Sequence, residues 1–484
     1  MMTKQELDYI FAPKSVAVVG VSNKTEGIQL GGASFVNSLL SCGYKGNIYP
    51  INPKGGEFLG LKVYPNLKDV PEPVIDYVIY STSTSYVLQT IKDCAVKGVK
   101  AIHIYTGGFS ESGTEEGEQL ERELLSLTSQ NGLRIIGPNC VGIYCPKARL
   151  SFSPDFPQET GPVALISQSG SNAFCIVQEA SQRGVRFSKV ISFGNASDIN
   201  ESDLLEFLTN DEDTRIIAVY IEGVKDGRRF ARVLKEAAKM KPVIVLKGGV
   251  GETGARAAAS HTGVLAGSDE VWDGLLSQAG VIRVYSLGEL VDMAVTFSCL
   301  PAPSGRRVAA ICGGGGPTVL AADVCTHSSL TVPQLPPSVQ NTLAGYLGKG
   351  TVGVNLSNPV DLSDQGWGIF YDCIKTLLNY DGIDLLIFQM ASGTMPSVGT
   401  ESSSVQVSAL PTMAITDFIN ACQESKKPAV LAVLSAKTEG GWQIFTECER
   451  RCSEVGIPVY HSFSDAVKAI TRFIDYHDLK SARE

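Results

Sequence analysis

"VALISQSGS", residues 163–171, is a run of apolar residues that stops abruptly in a turn of serine, glutamine and glycine. A buried strand of a parallel sheet reads as a continuous apolar stretch, because helices cover both of its faces. The same signature occurs twice more, in "SVAVVGVSN" (15–23) and "VAAICGGGGPT" (308–318). Around the first of these, "GNIYPIN", "DYVIYS", "AIHIYTGG" and "LRIIGPNC" alternate with helical patterns such as "SYVLQTIKDCAVKG". Strands alternating with amphipathic helices predict doubly wound parallel α/β sheets.

The rhythm breaks in the turn-rich "PDFPQETGP" (154–162) and again in "CLPAPSGRR" (299–307). A chain of 484 residues accommodates about three domains of roughly 150 residues. The expected division is therefore 1–150, 151–302 and 303–484, each opening with strand, small-residue turn and helix. A formal charge of −9 argues against a nucleic-acid-binding surface. No apolar run reaches the roughly 18 residues of a membrane span, and the start lacks an apolar signal core. Twelve cysteines scattered without a disulfide-like pattern fit a reduced, cytoplasmic protein. Cys448 and Cys452, in "CERRC", have the spacing of a helix face.

In an open α/β sheet the turn after the first strand delivers a helix N-terminus to the crevice at the carboxyl ends of the strands. Open N–H groups and the helix dipole make that position an anion site. The candidates are Gly20, Ser22 and Asn23 in the first domain, Ser169, Gly170 and Ser171 in the second, and Gly315 and Gly316 in the third. A tight strand–helix turn that binds nothing is the alternative at each. A nicotinamide dehydrogenase is disfavoured, since the full G-x-G-x-x-G and the acidic ribose ligand after the second strand are missing. That strand runs into "YPINPKGG", where Lys54 suits a phosphorylated nucleotide. Coenzyme A, with a 3′-phosphate and a diphosphate, fits better; a solvated loop lysine is the alternative.

The blocks "YPINPKGGEFLGLKVYPNL", "GPNCVGI", "ISQSGS", "SFGNASDINESDLLEFL", "VLKGGVGETGARAAASHTG", "GGGGPTVLAAD" and "NPVDLS" resemble the α chain of ADP-forming (NDP-forming) acyl-CoA synthetases, relatives of succinyl-CoA ligase. The resemblance runs from about residue 8 to about residue 478. It implies a Rossmann-like CoA-binding domain followed by two flavodoxin-like doubly wound domains, with Asn139 of "GPNCVGI" among the CoA-binding residues. It also implies an acid–thiol ligase that interconverts acyl-CoA, ADP and phosphate with carboxylic acid, CoA and ATP, through acyl phosphate and a phosphohistidine.

The histidine so implicated is His261, in "AAASHTG" (257–263). Small neighbours admit a phosphoryl group, and one imidazole nitrogen is free to attack phosphorus. Helix N-termini after "SQSGS" and "GGGGP" are suited to stabilising its charge. The resemblance gives the role of imidazole partner to Glu222, at the end of "AVYIEG"; a strand-end ion pair is the alternative. His103, His327, His461 and His477 read as structural or surface residues.

No Walker P-loop is present, and "GGVGETGAR" (248–256) lacks its lysine. The nucleotide step in the family belongs to an ATP-grasp unit. A separate β chain carrying ADP/ATP and Mg²⁺ is therefore expected, in a cytoplasmic hetero-oligomer without nucleic acid or membrane. In the third domain "CGGGGPT" stands where relatives often have "TNAGGPG"; Cys312, Gly313 and Thr318 are the departures. No contacts are assigned to "VLSAKTEGGWQIF" (433–445). A catalytically silent CoA-binding regulatory or scaffold protein is the alternative, against which the joint presence of His261 and Glu222 speaks.

Overall fold

The computed structural model describes residues 4–22, 31–262, 267–347, 354–362, 369–392, 404–434 and 438–482. The chain divides into two compact units, Met1–Ser181 with Arg186–Leu290, and Gln182–Val185 with Val291–Glu484. Among the described residues no helix is long and apolar enough to cross a membrane.

The first unit holds two large sheets. One contains β1 (Ser15–Val19), β2 (Asn47–Ile51), β5 (Tyr77–Tyr80), β6 (Ala101–Ile104) and β7 (Arg134–Ile136), in the order β2-β1-β5-β6-β7. All its pairings are parallel, with Val16 opposite both Ile48 and Tyr77. After β2 the chain forms a small antiparallel hairpin, β3 (Gly56–Phe58) with β4 (Leu61–Val63), before returning to the other side of β1 as β5. The second sheet contains β8 (Gly142–Tyr144), β9 (Val163–Ser167), β10 (Phe187–Ser192), β11 (Ile216–Ile221), β12 (Val243–Lys247) and β13 (Ile282–Val284). Its order is β13-β12-β11-β9-β10-β8, with β8 the single antiparallel edge. Although it precedes residue 150, β8 thus pairs in the second sheet.

The sheet of the second unit contains β14 (Val308–Cys312), β15 (Val360–Asp361), β16 (Leu385–Ala391), β17 (Ala429–Leu434) and β18 (Val459–Tyr460), ordered β15-β14-β16-β17-β18. The α/β class read from the sequence is what the structure has. The winding is also common to all three sheets: the first parallel strand lies inside, the second on one flank, and the rest on the other. Each sheet therefore reverses direction beside β1, β9 or β14, and a crevice opens there at the carboxyl ends of the strands.

Burial explains the unbroken apolar runs. Every residue of β9 and β12 is buried, as is all of β14. Within the first unit the two sheets are joined by charge and ring contacts. Arg134 forms a forked pair with Asp198 at 2.8 Å, and Asp198 also accepts the Ile135 N–H. Phe11 of the N-terminal helix Lys4–Phe11 stacks on Phe207 at 4.8 Å. The buried Lys189–Asp211 pair, 2.8 Å apart, lies beside both rings. In the second unit the helix Glu439–Glu454 turns Phe445, Cys448 and Cys452 into the core, so the two cysteines do share a helix face. Arg183 is buried there against Asp292 at 2.6 Å and the Val459 carbonyl at 2.8 Å.

Candidate active site

The reversal beside β1 is crowded. Gly20 has φ +99°, and a Cβ on it would lie 2.2 Å from the Ser81 carbonyl oxygen that follows β5. The Gly20 and Val21 N–H groups donate to the carbonyl of Ile51, the last residue of β2. The helix Gly32–Ser41 starts hard against this turn, since a Cβ on Gly32 would lie 2.7 Å from the Gly20 oxygen. Gly31 gives that helix no side-chain cap, which leaves its first-turn N–H groups open to a ligand. Beside β9 the arrangement repeats. Ser169 caps the helix Gly170–Gln182 by accepting the Asn172 N–H at 3.3 Å, and its hydroxyl lies 3.1 Å from that of Ser171. Gly170 is needed where it is, because a Cβ would lie 2.9 Å from Val141.

These two helix starts open into one cavity of about 730 Å³. Its lining brings together six of the sequence-predicted residues: Gly20, Ser22, Asn139, Ser169, Gly170 and Ser171. Ser81, Thr82, Ser83 and Thr106 add hydroxyls, and Gly31, Gly32 and Gly107 keep the walls low. Two N-termini with open N–H groups and a ring of hydroxyls suit phosphate oxygens. A second cavity of about 310 Å³ shares Gly20 and Thr82 with the first and is walled by Ile51, Asn52, Pro53, Leu67 and Tyr86. Lys54 follows that wall, exposed, with its backbone N–H on Asn52 Oδ1 at 3.0 Å; it does not line the larger cavity.

Glu222 follows β11, the neighbour of β9, and is 6% exposed. The Tyr220 hydroxyl donates to its carboxylate at 3.1 Å, and burial next to that charge raises the tyrosine pKa. The Glu222 N–H donates to Gln168 Oε1, which also accepts the Gly223 N–H at 3.1 Å. Gln168, 2% exposed, lines the large cavity and so links its wall to Glu222. On the adjacent strand Lys247 is buried over the Trp272 ring at 5.2 Å, donating to the Gly248 carbonyl. Burial pulls its ammonium pKa down to about 8, against the opposing pull of Glu222 and Asp269.

His261 occupies the last turn of the helix Gly251–Thr262, which begins just past β12. Its side chain lies outside what is described, as does the whole of Asn23. Gly315 and Gly316 open the helix Gly315–Thr326 after β14, exposed in the second unit, with no side-chain cap at Gly314. Thr318, one of the family departures, turns its hydroxyl back onto the Gly314 carbonyl at 2.7 Å. Cys312 is buried at the end of β14. Of "VLSAKTEGGWQIF", Leu434 ends β17 and Thr438 caps the next helix; residues 435–437 lie outside the described set.

Of the other histidines, His103 is buried on β6, with Nε2 2.8 Å from the Cys140 carbonyl, and burial lowers its pKa to about 4. His327 closes the helix Gly315–Thr326, and His461 and His477 pack on aromatic rings. Sequence reasoning missed Gln168, Tyr220, Lys247 and the Gly31–Gly32 pair. Gln168 lay inside a quoted motif, but only the adjacency of β9 and β11 gives it work.

Fold and cavity define a doubly wound α/β protein with a crevice, lined by two helix N-termini and a ring of hydroxyls, built from its first two sheets. Residues 14–146 match the CoA binding domain family, and residues 160–297 the succinyl-CoA ligase like flavodoxin domain family. The chain is 36% identical to the alpha subunit of acetate–CoA ligase (ADP-forming) I of Pyrococcus furiosus, covering 98% of each protein. It is 42% identical, over 74% of its own length, to the ADP-forming acetate–CoA ligase of Methanocaldococcus jannaschii, of which it spans 49%. Among solved structures it resembles the dinucleotide forming acetyl-coenzyme A synthetase 1 of Ca. Korarchaeum cryptofilum in complex with phosphate and ADP. That match has a TM-score of 0.81 at 30% identity and covers 98% of this chain and 97% of the other. The chain belongs to the alpha subunits of the ADP-forming acyl-CoA ligases.

Proposed function

We propose that this chain binds CoA and acyl groups in the 730 Å³ cavity and relays a phosphoryl group through His261. The observation that carries the proposal is the convergence of two helix N-termini on one cavity whose wall residue Gln168 holds the backbone of Glu222. One N-terminus serves the CoA diphosphate and the other the phosphate that attacks the thioester.

Phosphate attack on the acyl carbonyl expels the CoA thiolate and leaves acyl phosphate. A neutral nitrogen of His261 then attacks phosphorus, the bond from phosphorus to the acyl oxygen breaks, and the carboxylate leaves. Glu222 takes the other ring N–H, which sets the tautomer and balances the imidazolium charge as it forms. Phospho-His261 gives its phosphoryl group to ADP, forming ATP and restoring the neutral ring. The same steps run backwards activate a carboxylic acid. In this reading ADP and ATP sit with Mg²⁺ on a separate ATP-grasp β chain, the metal screening phosphate charge during transfer. The 49% coverage of the Methanocaldococcus jannaschii relative supports such a division, since that single chain has room for a further part.

The test is phosphorylation of this chain, co-expressed with an ATP-grasp β chain, by labelled phosphate and acyl-CoA. Label on His261 is acid-labile and alkali-stable, as a phosphoramidate is. His261→Ala loses the label and several orders of magnitude of ADP-dependent turnover while keeping CoA binding. Acid-stable label on Ser260, or CoA binding with no phosphoenzyme, refutes the relay; the latter leaves a CoA-binding protein without turnover.

A further inference from the structure

The seam between the first two sheets contains a carboxylate that the relay does not use. Glu111 lies in the short 3-10 turn Ser110–Ser112. Its carboxylate accepts the Gly108 N–H at 2.5 Å and the Phe109 N–H at 3.2 Å, so it folds back on the segment that enters the turn. The Asn195 side-chain amide, from the loop after β10, also donates to it.

Two neighbours give this small network a bearing on the site. The residue before Gly108 is Gly107, which lines the large cavity. A Cβ on Gly107 would lie 3.0 Å from Glu111 Oε1 and 3.2 Å from Asn139 Oδ1, so Glu111 backs the cavity wall at the point where Asn139 enters it. On the other side, the helix Gly251–Thr262 packs against the turn Ser110–Ser112. Asn195 is 1% exposed and bound through its N–H to the Pro138 carbonyl, one residue before Asn139. Its Oδ1 has no hydrogen-bond partner among the described residues. A second carboxylate, Glu121, takes the Ser110 N–H, the hydroxyls of Ser110 and Ser197, and the Asn195 amide at 3.4 Å, and so anchors the same turn.

We infer that Glu111 is a positioning residue that couples the wall of the CoA cavity to the helix carrying His261. The inference rests on the function proposed above. One carboxylate holds the 107–109 wall, the loop of the second sheet and the seat of the His261 helix in a single geometry. Its loss loosens the wall and the seat together. Hydrogen bonding rather than charge is what the network needs. A glutamine can accept the Gly108 and Phe109 N–H groups through its carbonyl. Its amide then donates to Asn195 Oδ1, once the asparagine amide turns over and gives up its 3.4 Å bond to Glu121, so the rescue is partial.

The experiment compares Glu111→Ala and Glu111→Gln in the chain co-expressed with its β chain. Glu111→Ala weakens CoA binding in calorimetry by about tenfold and slows His261 phosphorylation by acyl phosphate by a similar factor. Its KM for ADP stays at the wild-type value, while its denaturation midpoint falls, because the Gly108, Phe109 and Asn195 N–H groups lose an acceptor. Glu111→Gln restores CoA binding and the phosphorylation rate to within about threefold of wild type. Wild-type CoA affinity in Glu111→Ala, a glutamine variant as impaired as alanine, or an equal rise in KM for ADP overturns the inference. Should wild type form no phosphohistidine, the relay itself fails, and calorimetry still reads the cavity-wall half of the inference.

Discussion

Replacing Gln168 by leucine tests whether the wall of the cavity holds Glu222 in place. The side chain is 2% exposed, and its Oε1 is the acceptor for two N–H groups, those of Glu222 and Gly223. Leucine fills nearly the same volume and accepts nothing. Two N–H groups in a buried turn then lose their partner, at about 1–3 kcal/mol each. Water entering from the adjacent cavity recovers part of this, which leaves a destabilisation of about 2–3 kcal/mol. The effect on chemistry is separable. A displacement of about 1 Å in a group that orients the nucleophile lowers the rate by up to about a hundredfold. Rapid-quench measurement of His261 phosphorylation by acyl phosphate reads that rate directly, and urea denaturation reads the stability. A double-mutant cycle with Glu222→Gln decides the mechanism. If Gln168 acts through Glu222, the two rate losses are far from additive, because the second substitution removes what the first has already displaced. Additive losses, or a wild-type rate in Gln168→Leu, refute the reasoning.

His103, neutral and buried with its pKa near 4 rather than 6.5, makes stability depend on pH. Above about pH 6.5 its contribution is complete, and it is lost as pH falls towards 4, because the unfolded chain takes up the proton first. The loss reaches about 3 kcal/mol. His103→Gln, which keeps a donor for the Cys140 carbonyl, flattens the difference between denaturation midpoints at about pH 4.5 and pH 7. Gly20→Ala places a methyl against the Ser81 carbonyl at a left-handed φ; it costs at least about 2 kcal/mol and CoA binding falls with it, as denaturation and calorimetry measure. Lys54→Ala weakens CoA by about 1–2 kcal/mol with an unchanged denaturation midpoint, and the difference vanishes when the ligand is 3′-dephospho-CoA. An equal loss for both ligands refutes the 3′-phosphate contact.

The strands that open each sheet were legible because burial on both faces leaves one-dimensional traces: "SVAVV", "VALIS" and "VAAIC" are apolar at every position or nearly so, and each stops at small residues. Other features depend on contacts that a linear reading does not contain. The three residues of β8, Gly142–Tyr144, are too few for periodicity, and their antiparallel pairing with β10 is set by where the chain emerges from the first sheet. Gly31 and Gly32 look like ordinary loop glycines until Gly20, twelve residues earlier, is found pressed against the helix start. Gln168 becomes informative only when β11 is known to lie beside β9.

The glycines carry a further lesson about reading such turns. A small residue after the first strand suggests room for a phosphate, yet at Gly20 the forbidden atom is the backbone oxygen of Ser81, and at Gly170 it is the side chain of Val141. The protein itself occupies the space that a Cβ would need. At Gly20 the crowding arises where the sheet reverses, since the exit of the first strand, the exit of its neighbour and a helix start meet in one place; at Gly170 the helix start meets the segment that leads into β8. The same meeting leaves open helix N–H groups facing the crevice. Glycine at these turns therefore reports the reversal, and anion binding follows from the reversal. By that logic Gly315 and Gly316 differ. Gly316 meets nothing within 4 Å and Gly315 only Asp361 Oδ2 at 3.6 Å, so packing within the second unit does not demand either glycine. Alanine at Gly316 should leave the denaturation midpoint within about 0.5 kcal/mol of wild type. A loss of turnover in that variant at intact stability would show that the third turn needs its glycine for a ligand; unchanged turnover would show that it does not.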